Sequence, residues 1–179
     1  MGIIAKDNGE QQEQAPTGMH PAVCVNVFDI GFQPGFQGKP PSHKIVLLWE
    51  LTDGRKQDGK RFLLTKLYTL SLYKEAILRK DLVAWRTKDF TEQELKGFDL
   101  DNVKRKQCQL NLVSSVKNNS TYINVDAVLP KAQGDISVAE TGEDFIPEWV
   151  KKKMDEALPP PAHASAAPPS DDFTDDIPF

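Results

Sequence analysis

Residues 61–70, RFLLTKLYTL, run directly into residues 71–85, SLYKEAILRKDLVAW, and the spacing of apolar side chains changes between the two stretches. The first, between turn residues and rich in apolar and aromatic side chains, reads as a strand. In the second, Leu72, Ala76, Leu78, Leu82 and Trp85 recur at helical spacing, and Ser71 stands where an N-cap belongs. A third strand followed by an amphipathic helix over 72–85 is therefore predicted. If Leu63, Thr65 and Leu67 face the core, Phe62, Lys66 and Tyr68 share the outer face, with Arg61 at its start.

Working back from this junction, residues 43–51 (HKIVLLWEL) place Ile45, Leu47, Trp49 and Leu51 on one face of a second strand. Residues 22–30 (AVCVNVFDI), with Val23, Val25 and Val27 in alternation, make a first. Between them Gly31, Pro34, Gly35, Gly38, Pro40 and Pro41 force a loop, and Asp53-Gly54 and Asp58-Gly59 supply turn chemistry before strand three. Working forward, Thr91 followed by Glu92 and Glu94 predicts a short capped helix ending at Gly97. Residues 107–113 and 121–129 alternate about an Asn118-Asn119 hairpin turn. Three strands, a helix and two more strands define an all-β chain, a β-barrel with an inserted helix. This is the element order of an OB-fold, a five-stranded barrel with an α-helical segment between strands 3 and 4. Other small antiparallel barrels and five-stranded α+β folds share the pattern.

Five regions follow from composition: a flexible arm over 1–19, the barrel over 20–131, a connector over 132–158, a Pro/Ala-rich linker over 159–170 (PPPAHASAAPPS) and an acidic tip over 171–179. In the connector a short helix is expected after Pro147, with Trp149 and Met154 docking on the body or on a partner. Hydrophobic residues are only 39% of the chain, below the share of a fully packed domain, which fits unpacked ends. The net charge of −4 hides an asymmetry: the barrel region holds 18 Lys/Arg against 12 Asp/Glu, and residues 132–179 hold three against 11. A basic body with an acidic tail marks two interaction surfaces.

The last eight residues, Asp172, Phe173, Thr174, Asp175, Asp176, Ile177, Pro178 and Phe179, carry the most specific pattern. They resemble the acidic tip that ends bacterial single-stranded DNA-binding proteins, DFDDDIPF, with Thr174 the one departure. The tip hangs from a Pro-rich linker, as it does in that family. The resemblance implies that the tip docks host or phage replication, recombination and repair proteins. The body lacks the N-terminal strand sequence of the bacterial proteins. It looks more like the divergent single-stranded DNA-binding proteins of bacteriophages, so neither the tetrameric assembly nor the DNA contacts of the bacterial proteins are carried over as expectations, and a homo-oligomer is left open. In physical terms the aspartates attract basic surfaces from a distance, while Ile177, Pro178 and Phe179 offer a stiff apolar plug with a terminal carboxylate.

A sequence-independent grip on single strands needs cations for phosphates and rings for bases. The candidates are Phe32 and Phe36 in the first loop, Arg55 and Lys60 near the next turn, Arg61, Phe62, Lys66 and Tyr68 on the third strand, and Tyr122 on the fifth. Each has a plainer account: Phe32 closing a barrel end, Tyr68 and Tyr122 half-buried in strands, Trp49 in the core. The run Lys104, Arg105, Lys106 serves equally as a solvated turn. A second reading is an adaptor or decoy that borrows the host tail motif while its body binds protein instead of DNA.

Catalysis is not expected. His20, His43 and His163 are scattered, no HExxH, GxSxG or GxxxxGK[ST] occurs, and Asp99 with Asp101 is better read as capping than as a metal pair. No cofactor or metal is implied. Cys24 and Cys108 sit in apolar stretches and read as reduced, buried thiols. With no apolar run of about 18 residues and a polar start, neither membrane insertion nor export is expected. The bacterial host cytoplasm is the expected compartment.

Overall fold

The computed structural model describes residues 12–161, so the start of the arm, the linker beyond Pro161 and the acidic tip lie outside the described residues. Five strands, β1 (Gly18–Gln33), β2 (Ser42–Arg55), β3 (Arg61–Thr69), β4 (Gln107–Lys117) and β5 (Ser120–Pro130), form one antiparallel sheet in the order β3-β2-β1-β4-β5. The all-β expectation holds. The sheet edges β3 and β5 approach each other, and Lys66 Nζ on β3 reaches the Asp126 carbonyl on β5 at 3.3 Å. Helix α1 (Ile77–Arg86) lies across that seam, touching both strands.

Local chemistry explains where the elements begin and turn. Asn118 and Asn119 both adopt positive φ, 50° and 61°, the left-handed pair that a two-residue hairpin between β4 and β5 demands. Helix α2 (Glu92–Leu95) carries a full capping box, the Thr91 hydroxyl accepting from the Glu94 amide and the Glu94 carboxylate from the Thr91 amide. Asp99 caps the 3-10 turn Leu100–Val103 by accepting from the Asp101 amide, the capping role expected for it.

Three expectations are corrected. Ser71 does not cap α1: its hydroxyl accepts the Tyr73 amide at 3.0 Å in a local turn, and the helix starts only at Ile77. Strand β2 runs past Asp53-Gly54 to Arg55, and the chain reverses at Lys56–Lys60 instead, where the Lys56 amide donates to the Lys60 carbonyl at 2.8 Å. In β1, a register shift at Val25 breaks the alternation of Val23, Val25 and Val27, and a second follows at Ile30. Val25 therefore packs outside the sheet while Val27 packs inside.

The sheet has two buried faces. Inside, Ile45, Leu47, Trp49 and Leu51 meet Leu78, Leu82 and Trp85 of α1 and Leu110 and Leu112 of β4. Trp49 and Trp85 pack in a tilted pair with centroids 6.5 Å apart, and the Trp85 indole donates to the Gln107 carbonyl at 2.8 Å. Cys24 and Cys108 are both in this core, as free thiols. Outside, Val25, Phe28, Ile30, Val46 and Leu48 are covered by residues 137–158, including helix α3 (Glu148–Asp155), whose Val150 is fully buried. The helix expected after Pro147 is present. Met154 docks as expected, whereas Trp149 stays 41% exposed.

Candidate functional site

The third strand turns over relative to expectation. Phe62 and Tyr68 are 7% and 2% exposed and point into the inner core with Leu64, while Leu67 is 51% exposed. Apolar residues occupy both parities of this strand, so alternation alone does not choose the face. Asp81 on α1 chooses it: one carboxylate oxygen accepts from the Tyr68 hydroxyl and from Lys66 Nζ, each at 2.7 Å. Burial, followed by the Asp81 charge, pushes the Tyr68 phenol up. Neither Phe62 nor Tyr68 presents a ring to solvent, and Lys66 is neutralised by Asp81.

The remaining candidates separate into two ends of β2. At one end, Phe32 is half-buried and stacks on His43 at 5.0 Å, with His43 Nε2 at 2.6 Å from Asp29. The loop beyond it carries Phe36, 76% exposed, folded back so tightly that a Cβ on Gly35 would collide with the Lys39 carbonyl. Close by on the outer face, Lys44 donates to Thr69 Oγ1 at 2.6 Å beside exposed Leu67 and Leu70. Burial lowers the Lys44 pKa. Tyr73 follows the end of β3 and is also exposed.

At the opposite end of β2, Arg55 and Arg61 converge on one carboxylate. Arg55 grips Glu140 with both terminal nitrogens, at 2.6 and 2.9 Å, and Arg61 approaches the same residue at 3.3 Å. Arg61 also donates to Glu50 at 2.9 Å and to the Val138 carbonyl at 2.8 Å. Lys60 is exposed and pairs with no carboxylate among the described residues. Tyr122, 48% exposed, lies on the protruding half of the β4–β5 ribbon, where every residue from 113 to 122 faces solvent.

The component that the sequence reading missed is the segment clasped by these arginines. Glu50, with no exposed surface, accepts from the amides of Glu140 and Thr141, each at 2.8 Å, as well as from Arg61. Burial on its own would raise this carboxyl; the hydrogen bonds from the Glu140 amide, Thr141 and Arg61 outweigh it and hold the group below the ordinary carboxylate range. Three residues on, Glu143 takes Arg105 Nε at 2.9 Å, Arg105 also donates to the Thr141 carbonyl at 3.0 Å, and Asn26 holds the Glu143 carbonyl at 2.8 Å. A cavity of about 300 Å³, lined by Val23, Arg105 and residues 138–142, lies under the segment. One signal pointed here: a glutamate inside the apolar run IVLLWEL must find partners if buried.

Of the basic run, Arg105 is thus engaged and Lys104 pairs with Asp101 at 2.7 Å, which leaves Lys106 unpaired among the described residues. No group of three or more His, Cys, Asp or Glu with metal-binding geometry occurs among the described residues, and no helix there is long and apolar enough to cross a membrane. Asp172, Phe173, Asp175, Asp176, Ile177, Pro178 and Phe179 lie outside the described residues. Neither the protein-family models nor the curated proteins compared with the chain give a match.

Proposed function

We propose that the chain is a single-stranded DNA-binding protein that grips strands without reading sequence and recruits replication, recombination or repair proteins through its acidic tip. The observation that carries the reading is the union, in one chain, of a barrel-like β body and the tip DFTDDIPF. Strand order β3-β2-β1-β4-β5 with edges that approach each other, and a helix between the third and fourth strands, supports reading the sheet as an OB-fold. The rings exposed on the sheet and its loops are Phe36, Tyr73 and Tyr122, those of Phe145 and Trp149 stand on the segment that follows β5, and Lys39, Lys44, Lys60, Lys74 and Lys117 are cations that carry no carboxylate partner among the described residues. Phe62 and Tyr68 leave the set.

Titration of fluorescent oligothymidylate tests the reading. Binding weakens with salt at a log–log slope of about 0.7 per phosphate neutralised. Phe36→Ala and Tyr122→Ala each weaken it by about 1 to 3 kcal/mol. A chain that ignores the oligonucleotide at low salt removes the proposal. One observation favours an adaptor that binds protein instead: Arg55, Arg61 and Arg105 are all occupied by carboxylates. In that case protein capture persists while oligonucleotide neither binds nor competes.

A further inference from the structure

Residues 137–158 cover the outer face by two unlike means. Helix α3 is anchored by apolar contact, Val150 and Met154 sitting on the outer cluster. Residues 137–143 are held almost wholly by charge and hydrogen bonds: Glu140 to Arg55 and Arg61, the Glu140 and Thr141 amides to Glu50, Glu143 to Arg105, and the Ser137 carbonyl to Gln107. Their large apolar side chain, Val138, is 73% exposed, and only Ala139 joins the cluster beneath. A contact made by charge in this way yields to competing ions, whereas the apolar anchor does not.

The carboxylates of Glu140 and Glu143 stand where phosphates fit. Arg55 presents the two-pronged geometry that matches phosphate as well as carboxylate, and Glu140 and Glu143 are separated by no more than about 10 Å of extended chain. From residue 132 to residue 147 the chain carries four acids and no Lys or Arg, the charge complement of the surface beneath it. We propose that residues 137–143 are a releasable cover over a second phosphate-binding site, at which Arg55 and Arg105 take the backbone of a bound single strand once Glu140 and Glu143 withdraw. Arg61 keeps its Glu50 partner and neutralises it. Helix α3 stays docked and keeps the released segment tethered. This inference rests on the single-strand reading above.

Amide hydrogen exchange of the full-length protein, with and without saturating oligothymidylate, tests the cover. The expected result is that the Glu140 and Thr141 amides lose at least tenfold in protection on binding, while the Val150 and Leu110 amides do not change. The double variant Glu140→Gln/Glu143→Gln, whose side chains are about half exposed, then binds oligothymidylate several-fold more tightly than the parent. Arg55→Ala binds more weakly, with a shallower salt slope. If the oligonucleotide binds and the two amides remain as protected as in the free protein, the cover is overturned and the single-strand reading stands. If only the double variant binds, the cover is supported. If neither binds at low salt, both the cover and the reading fall.

Discussion

The inner and outer faces of the sheet are closed by different physics, and the difference separates what holds the fold from what can regulate it. Inside, side chains from all five strands and α1 interlock, and two of the polar groups there find partners, the Trp85 indole in Gln107 and the Tyr68 hydroxyl in Asp81, while the Trp49 indole nitrogen has none among the described residues. Outside, a small apolar cluster sits beside a row of arginines and carboxylates joined to an irregular segment about 90 residues distant in sequence. Close packing is insensitive to salt and pH, whereas a charge clasp responds to both.

Substitutions on the two faces sharpen this contrast. Trp49→Ala empties the inner core at a residue with no exposed surface and is expected to cost about 3 to 5 kcal/mol in denaturant unfolding. A loss under 1 kcal/mol would mean that the inner face is not the stabilising one. Glu50→Gln leaves Arg61 and two amides facing a neutral group, and about 3 kcal/mol is expected. The sign of its pH dependence follows from the depressed carboxyl. Glu50 adds stability above the carboxylate pKa of an unfolded chain, and that contribution disappears as pH falls through the lower folded value. The parent should therefore lose stability on acidification more steeply than Glu50→Gln, and parallel curves would show the clasp to be energetically idle.

Val150→Ala removes two methyl groups from the outer cluster alone, for about 2 kcal/mol. It is expected to free the α3 amides to exchange while leaving those of β4 protected; equal loosening of both would make the two faces one cooperative unit. The smallest effect is that of Thr91→Ala, about 1 kcal/mol, because the capping box lies on the connector between β3 and β4 and belongs to neither face.

How much was legible in the sequence follows the same division. Asn118-Asn119 and the Thr91 box were readable because their chemistry is local, a backbone φ in one case and a reciprocal pair of amides in the other. Ser71 misled because its hydroxyl can serve a turn as well as a helix. The facing of β3 depended on Asp81, a residue of another element, and with it went Phe62 and Tyr68 as candidate stacking rings. Phe36 and Tyr122 do stand exposed, since a glycine-bound loop and a projecting ribbon have nothing to bury them in. The arginine clasp was out of reach of local pattern: Glu50 signalled a buried partner, but nothing near it named Glu140 or Thr141.

The placement of the two cysteines has a practical side. Cys24 and Cys108 have no exposed surface; burial pushes the Cys24 thiol up to about 12 and raises Cys108 well above its ordinary value. Maleimide and other thiol-directed dyes should thus pass over the folded protein. A single cysteine introduced at position 36 or 122 then becomes the sole labelling handle, and a fluorophore can be set at the loop or the ribbon without first stripping the native sulfurs from the core.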